Sequence, residues 1–369
     1  MYFLDTNALY WYIGREKLEV GSDAKVDWNL LRSFLDNRED KALASSAYVE
    51  AMARFRNKPE YASKIHDFMY AKNLRLFNNV QYQTFSSDQI SVNHSLKGDQ
   101  LSHYIKSRIL PVKIDIEVRF ALGFMMSILL LYAKYRIDGS GKICSNHDYD
   151  IEMFIKNEII EGTEAKLRIA LEEAYNNHEG LEQQFFKEKY IKLLGDGCQL
   201  TDTLVELLST KGIDTEADDI ADVEEEVRNR YCSMKANNPD NYLMVNISKE
   251  LCFRPDFKEE AKKRFSEMYS NKGKAFRGKE KFAFKDIQVE YLAEEMYTSW
   301  IDNSQKFRKN DIFDFFFLGC AEYKDDRLAD NILIDTSTYL LSFDRKLDRY
   351  IERKRPANGK VLRKFYNDF

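Results

Sequence analysis

Short apolar runs alternate with helix-spaced apolar positions over the first part of the chain. A run of a few apolar residues is typical of a buried strand, whereas apolar residues three and four apart are typical of an amphipathic helix. Ser45 and Ser46 precede the last of these helices and can cap it. In chain order, the pattern predicts a strand over 2–4, helices over 8–13 and 26–35, a strand over 41–44 and a helix over 47–56.

Residues 60–280 have a different pattern, that of long amphipathic helices broken by polar stretches such as Gly139-Ser140-Gly141. The uncharged apolar run 120–133 is shorter than the roughly 20 residues that a membrane span needs. We therefore interpret this run as the buried central helix of a helical domain, and we predict no association with a membrane.

The alternation of strands and helices returns near the end of the chain. It predicts helices over 289–307 and 312–323, a strand over 339–343, a helix over 345–354 and an edge strand over 361–366. Strands separated by helices indicate a parallel sheet. We predict an α/β fold with a short parallel sheet, built from residues 1–58 and 285–369 and interrupted by a large, mainly α-helical insertion of residues 59–284.

Composition narrows the class of protein. Hydrophobic residues make up 44% and charged residues 32% of the 369 residues, as in globular domains. The net charge of −5 argues against a large non-specific nucleic-acid surface but permits a local basic patch. The five cysteines are scattered without a CxxC pair, which is expected of free thiols in a reducing compartment. We therefore predict a cytoplasmic protein.

Carboxylates stand beside the predicted strand ends or on the helices near them. They are Asp5, Glu50, Asp311, Asp314 and Asp344. Most of these acids could simply cap or begin a helix, and Glu50 could be a solvated helix residue. However, the carboxyl ends of parallel strands meet at one edge, where α/β sheets bind ligands. Repulsion among acids at that edge raises their pKa values unless a cation binds, and Mg²⁺ or Mn²⁺ is the cation that carboxylates and water favour.

Four stretches, in this order along the chain, resemble the signature of the PIN-domain nucleases: FLDTNALY, ASSAYVEAMAR, NDIFDFFFLGCA and YLLSFDRKL. The resemblance covers the two outer segments and implies a PIN-like three-layer fold for them. It favours Asp314 over Asp311 because Ala321 follows Asp314 at the family's spacing, so Asp311 is an extra metal ligand or an ordinary first-turn acid. The metal-binding and catalytic acids that the resemblance implies are Asp5, Glu50, Asp314 and Asp344.

The activity that the resemblance implies is metal-dependent hydrolysis of RNA phosphodiester bonds by an endoribonuclease. Thr6 and Asn7 could orient water or phosphate, and Ser342 could hold a phosphate oxygen. The basic, Phe-containing stretch 271–285 could bind RNA, since basic side chains contact phosphates and aromatic rings stack on unpaired bases; an ordinary basic surface loop is the alternative. The RNA-binding residues predicted in this stretch are Lys274, Arg277, Lys279 and Lys281.

Several alternatives stay open from the sequence. The nuclease could be a toxin, a defence effector gated by its insertion, or an RNA-processing enzyme. A regulatory protein could bind through the insertion, and the chain could form a homo-oligomer. Outside the RNA-cleaving class, the chain could be a structure-specific nuclease acting on DNA, or a non-catalytic scaffold whose acids only cap helices.

Overall fold

A computed structural model of the chain describes residues 1–21, 24–79, 90, 92–140, 147–177, 182–211, 217–237, 286–292, 294, 311–322 and 338–367. The chain divides into two units. The first consists of Met1–Lys113, Arg277–Leu292 and Asn310–Phe369, and the second of Ile114–Phe276 and Ala293–Lys309. The domain boundaries predicted after residues 58 and 284 stay a prediction.

The described residues are mostly helical. In chain order, the helices are α1 (Thr6–Ile13), α2 (Trp28–Asp36), α3 (Ser45–Arg54), α4 (Pro59–Ala71), α5 (Gly98–Tyr104), α6 (Leu110–Ser140), α7 (His147–Phe154), α8 (Gly162–Asn177), α9 (Glu182–Lys211), α10 (Ala217–Asn237), α11 (Asp286–Tyr291), α12 (Asp311–Leu318), α13 (Arg345–Lys354) and α14 (Pro356–Arg363). Short 3₁₀ segments lie at Arg15–Leu18 and Gly319–Glu322, and π-helical segments at Ile105–Ile109 and Ile155–Glu161.

A sheet of four parallel strands lies in the first unit. The strands are β1 (Tyr2–Leu4), β2 (Lys41–Ala44), β3 (Arg75–Phe77) and β4 (Tyr339–Leu341), in the spatial order β3–β2–β1–β4. Phe3 lies opposite Ala42 on one side and Leu340 on the other. All side chains of β1 and β2 are buried, as expected for parallel strands covered on both faces. The prediction of a mixed α/β fold with a short parallel sheet is thus confirmed.

The edge strand β3 is not predicted by the sequence pattern. Of its three side chains, one is exposed and two are half-buried. It therefore lacks the buried apolar run that marks β1 and β2, and its pairing with β2 makes it a strand.

The edge strand predicted over 361–366 is wrong, because helix α14, which begins at Pro356, extends to Arg363, and Tyr366 forms an isolated antiparallel bridge with Val26. Proline suits the first turn of a helix, where its missing N–H is not needed. Asn358 on this helix accepts a hydrogen bond from Leu340 N at 2.7 Å and donates one to Leu340 O at 2.9 Å. These bonds use backbone groups of β4 that a further strand would need.

The caps predicted at Ser45 and Ser46 are also wrong. Both serines already belong to α3, and its N-cap residue Ala44 makes no side-chain hydrogen bond. Asn79, just beyond β3, supplies the missing polar group, since its Oδ1 accepts from Ser46 N at 3.0 Å. A distant side chain therefore satisfies a first-turn amide that no local residue caps.

The two late helices are described to different extents. The predicted helix over 312–323 corresponds to α12, which ends at Leu318 and continues as a 3₁₀ segment to Glu322. Of the predicted helix over 289–307, only the part up to 292 and residue 294 is described, and the rest lies outside the described residues.

The second unit is helical wherever it is described. The helix predicted over 120–133 is confirmed, because this run lies within α6 and its described side chains are buried except for the half-buried Met126. No helix within the described ranges is long and apolar enough to cross a membrane.

Candidate functional site

Two of the predicted acids lie where neighbouring strands end. Asp5 directly follows β1, and its Oδ1 accepts from Ala8 N at 2.6 Å. Asp344 follows β4 closely, and its Oδ1 accepts from Lys346 N at 2.8 Å and from Leu347 N at 3.2 Å. Both acids are therefore helix N-caps. Because β1 and β4 are parallel neighbours, the two carboxylates lie at the same edge of the sheet.

Ser342 joins these two acids. The serine is fully buried, and its Oγ donates to Asp5 Oδ2 at 2.5 Å and accepts from Asp344 N at 3.1 Å. In the described structure Ser342 thus holds the acids in place, whereas its predicted contact with a phosphate oxygen stays a prediction.

Glu50 reaches the same edge from α3 through a contact with α1. Thr6 is buried, and its hydroxyl bonds to Glu50 Oε2 and lies 3.3 Å from the carbonyl oxygen of Ala47. Asn7, the next residue, is half-buried and accepts a hydrogen bond from Arg15 Nη1 at 3.3 Å. Thr6 therefore holds a carboxylate, while the amide Nδ2 of Asn7 is the group in this pair that could donate to a ligand.

The two acids of α12 differ in their partners. Asp311 is buried, and Lys346 Nζ lies 3.1 Å from its Oδ2. Asp314 is half-buried and has no hydrogen-bond donor or cation as a partner within the described part of the chain. The structure therefore gives Asp311 a counter-charge and leaves the Asp314 carboxylate uncompensated.

The acids at this edge interact electrostatically. The pKa of Asp5 is raised to about 7, mainly by burial and in smaller part by the neighbouring Glu50 and Asp344, against the hydrogen bonds from Ala8 and Ser342 that lower it. Burial also raises the pKa of Asp314 well above its usual value, with added repulsion from Asp344, Asp311, Glu50 and Asp5. Buried like charges with raised pKa values are typical of functional sites.

Asp348 is a further acid at this site, and the sequence analysis missed it. Burial raises its pKa well above the usual value, and Asp5 and Asp344 raise it further. Tyr366 donates a hydrogen bond to Asp348 Oδ2, while the buried Oδ1 has no partner among the described residues. Asp348 could have been predicted from its position four residues after Asp344, one turn along the same helix face.

We call these six residues the carboxylate cluster. They are Asp5, Glu50, Asp311, Asp314, Asp344 and Asp348. Five chain segments supply them: the turns after β1 and β4, and the helices α3, α12 and α13.

The predicted basic RNA-binding residues lie outside the described residues. They are Lys274, Arg277, Lys279 and Lys281. A described cation beside the carboxylate cluster is Arg54, which is exposed one turn after Glu50 on α3. Its guanidinium lies 5.8 Å from the ring centre of Tyr10, a residue whose pKa is raised first by burial and then by Glu50.

The carboxylate cluster has the chemistry of a divalent-cation site but not its closed geometry. Within the described ranges, no three His, Cys, Asp or Glu side chains are arranged to hold a metal ion together. Asp5 and Asp344 have oxygens engaged by amide or hydroxyl donors, whereas the Asp314 carboxylate has no such partner. Hard oxygen donors suit Mg²⁺ or Mn²⁺, and a bound cation would relieve the repulsion that raises these pKa values.

Comparison with known proteins adds no relative to this picture. No protein-family model, no curated protein and no solved structure matches the chain. The functional argument therefore rests on the residues and on their arrangement.

Proposed function

We propose that this chain is a metal-dependent endoribonuclease with a PIN-like fold in its first unit. The observation that carries the proposal is the Asp314 carboxyl group, which has no cation as a partner among the described residues and lies among five other acids, where burial and like charge raise its pKa. A protein that buried these acids for stability alone would be expected to give each one a counter-charge. The order of the four motifs along the chain supports the same assignment.

In this proposal, the acids bind the metal ion and the neighbouring hydroxyl groups orient the acids. Asp5, Glu50, Asp314 and Asp344 provide the negative charge that holds Mg²⁺ or Mn²⁺. When bound, the ion supplies a water of lowered pKa and positive charge opposite the phosphodiester. Thr6 and Ser342 fix the orientation of Glu50 and Asp5 through the hydrogen bonds described above.

Substrate contacts in the proposal come from cations beside these acids. Arg54 is exposed and can contact a phosphate, while Asn7 Nδ2 can donate to a phosphate oxygen. An Arg54→Met variant should bind RNA several-fold more weakly, with a loss that shrinks as salt rises, because each phosphate contact contributes through counterion release. Turnover at saturating RNA should stay near the wild-type value, and a loss of turnover instead would contradict a binding role.

The location, the substrate and the regulation that we propose are those predicted from the sequence. We place the enzyme in the cytoplasm, with RNA as the substrate and gating by the helical insertion as the regulation, as in a toxin or defence effector. Cys198, Cys232 and Cys320 are free thiols, which suits a reducing compartment.

The direct test is incubation of the purified protein with labelled single-stranded RNA, structured RNA, and single- and double-stranded DNA. Each reaction contains Mg²⁺, Mn²⁺ or EDTA. We expect RNA fragments with either metal and none with EDTA. Cleavage of DNA alone would move the proposal to a structure-specific DNA nuclease, and cleavage of neither in any metal would reject it.

A second candidate is a non-catalytic scaffold. The observation that favours it is that Asp5 and Asp344 both cap helices, a role that needs no metal. Asparagine caps a helix about as well as aspartate, so the scaffold predicts that Asp5→Asn and Asp344→Asn change little. The nuclease hypothesis predicts that both variants lose RNA cleavage.

A further inference from the structure

Asn79 connects two of the helices that carry the acids. It lies just after β3 and touches the N-terminal turn of α3, which carries Glu50, and the C-terminal turn of α12, which carries Asp314. We infer that Asn79 is a positioning residue for the proposed metal site, setting the distance between Glu50 and Asp314. This inference rests on the proposed function.

On the α3 side, Asn79 makes four hydrogen bonds with two serines. Its Oδ1 accepts from Ser46 N at 3.0 Å and from Ser45 Oγ at 2.9 Å. Its Nδ2 donates to Ser46 Oγ at 2.9 Å, and its backbone N donates to Ser45 Oγ at 3.2 Å. Both serines are buried, so these bonds fix the start of α3 and, through the helix, the position of Glu50.

On the α12 side, Asn79 Nδ2 donates to Phe316 O at 2.9 Å. This bond ties Asn79 to the backbone of the helix that carries Asp314. A side-chain amide both accepts and donates. One residue can therefore bond a backbone amide at the start of one helix and a backbone carbonyl near the end of another.

Asn79→Asp is the sharpest variant, because it keeps the shape and the acceptor but removes both Nδ2 donations. The new carboxylate would lie at the N-terminus of α3, where the helix dipole favours a negative charge. An added negative charge near the site should by itself strengthen Mn²⁺ binding. A loss of Mn²⁺ affinity in this variant therefore has to come from displaced acids.

Gln288→Glu provides the matched control. Gln288 on α11 donates from Nε2 to Phe315 O at 3.0 Å, the carbonyl next to the one that Asn79 bonds. The control makes the same amide-to-carboxylate change at the same helix end, in a side chain that is carried by α11. A merely stabilising role for Asn79 predicts the same effects from both variants.

The experiment measures Mn²⁺ affinity by calorimetry, thermal stability in EDTA, and kcat and KM on RNA for the full-length wild type and both variants. We expect Asn79→Asp to weaken Mn²⁺ binding at least tenfold and to lower kcat by a similar factor, with KM within twofold of wild type. Gln288→Glu should keep Mn²⁺ affinity and kcat within twofold, even where it lowers thermal stability as much.

The positioning role is overturned when Asn79→Asp keeps wild-type Mn²⁺ affinity and kcat, or when Gln288→Glu loses both equally. If Asn79→Asp does not fold, Asn79→Ser, which keeps a shorter hydroxyl donor and acceptor, is judged by the same criteria. A wild-type protein that neither binds Mn²⁺ nor cleaves RNA instead overturns the proposed function, and the positioning role falls with it.

Discussion

Several carboxylates of the two units differ in the partners that they have. In the helical unit, Asp115 accepts from Arg119 and Arg168, each at 2.7 Å, and Asp202 lies 2.7 Å from Arg136 Nε. These acids have counter-charges from neighbouring helix turns or helices, as structural carboxylates usually do.

At the edge of the sheet, Asp5, Asp314 and Asp348 have no cation as a partner among the described residues. Their pKa values are raised instead, first by burial and then by one another or by Asp344. Leaving acids without a counter-charge costs free energy of folding, so the contrast is what the proposed cation site at this edge predicts.

The largest expected effect is on cleavage. Asp314→Asn removes one of the proposed metal ligands and should lower the rate of RNA cleavage in Mn²⁺ by several orders of magnitude, since in the proposal the ion provides both the nucleophile and the charge stabilisation. Asp115→Asn in the helical unit should leave the rate per folded molecule near wild type. Equal cleavage rates for the wild type and Asp314→Asn would mean that the acids of the two units do not differ in function.

The next effect is on stability in EDTA. Because the pKa of Asp5 is about 7 in the fold against 3.8 for an ordinary aspartate, the folded state holds this proton more tightly than the unfolded chain does. The free energy of unfolding should therefore fall as the pH rises from about 4 to about 7, by about 4 kcal/mol in all. Asp5→Asn should make this fall smaller, while the raised pKa values of Asp314 and Asp348 keep a fall in the same direction, as followed by urea denaturation across that range.

His66 acts in the opposite direction and has to be measured beside Asp5. It is fully buried, and burial lowers its pKa from 6.5 to about 4. The unfolded chain then binds the proton more tightly, so this group makes stability rise by about 3 kcal/mol between pH 4 and pH 6.5. His66→Gln should steepen the wild-type fall, and a flat profile in that variant would show that Asp5 is not shifted.

The smallest expected effect is on the free energy of unfolding when an ion pair of the helical unit is removed. Arg168→Met removes one of the two cations of Asp115 and should lower the free energy of unfolding by about 1 kcal/mol. Its Mn²⁺ affinity should not change, because this pair serves the helices alone. A change in Mn²⁺ affinity as large as that of Asp314→Asn would mean that the two kinds of carboxylate are not distinct.

The sequence is most informative where structure depends on local patterns. The apolar runs of β1 and β2 and the amphipathic spacing of α13 appear at their predicted places, because burial of each run depends on its own residues. The convergence of Asp5 and Asp344 follows from a simple rule, that the carboxyl ends of parallel strands share one edge.

The features that the sequence does not reveal depend on distant partners. Asn79 bonds to serines 33 and 34 positions earlier and to a carbonyl 237 positions later, so no local pattern marks it. The ion pair of Asp311 with Lys346 joins residues 35 positions apart, and no local pattern in the sequence indicates it. Asn358 on α14 likewise bonds to the distant strand β4.

Calorimetric titration of Mn²⁺ into the metal-free protein tests whether this edge of the sheet binds a divalent cation. At pH 6, in buffers of different ionisation enthalpy, we expect saturable binding that releases about one proton per ion, because Asp5, whose pKa is about 7, holds a proton that the metal must displace. Asp314→Asn should bind more weakly. Absence of saturable binding, or binding unchanged in Asp314→Asn, would contradict a cation site at this edge of the sheet.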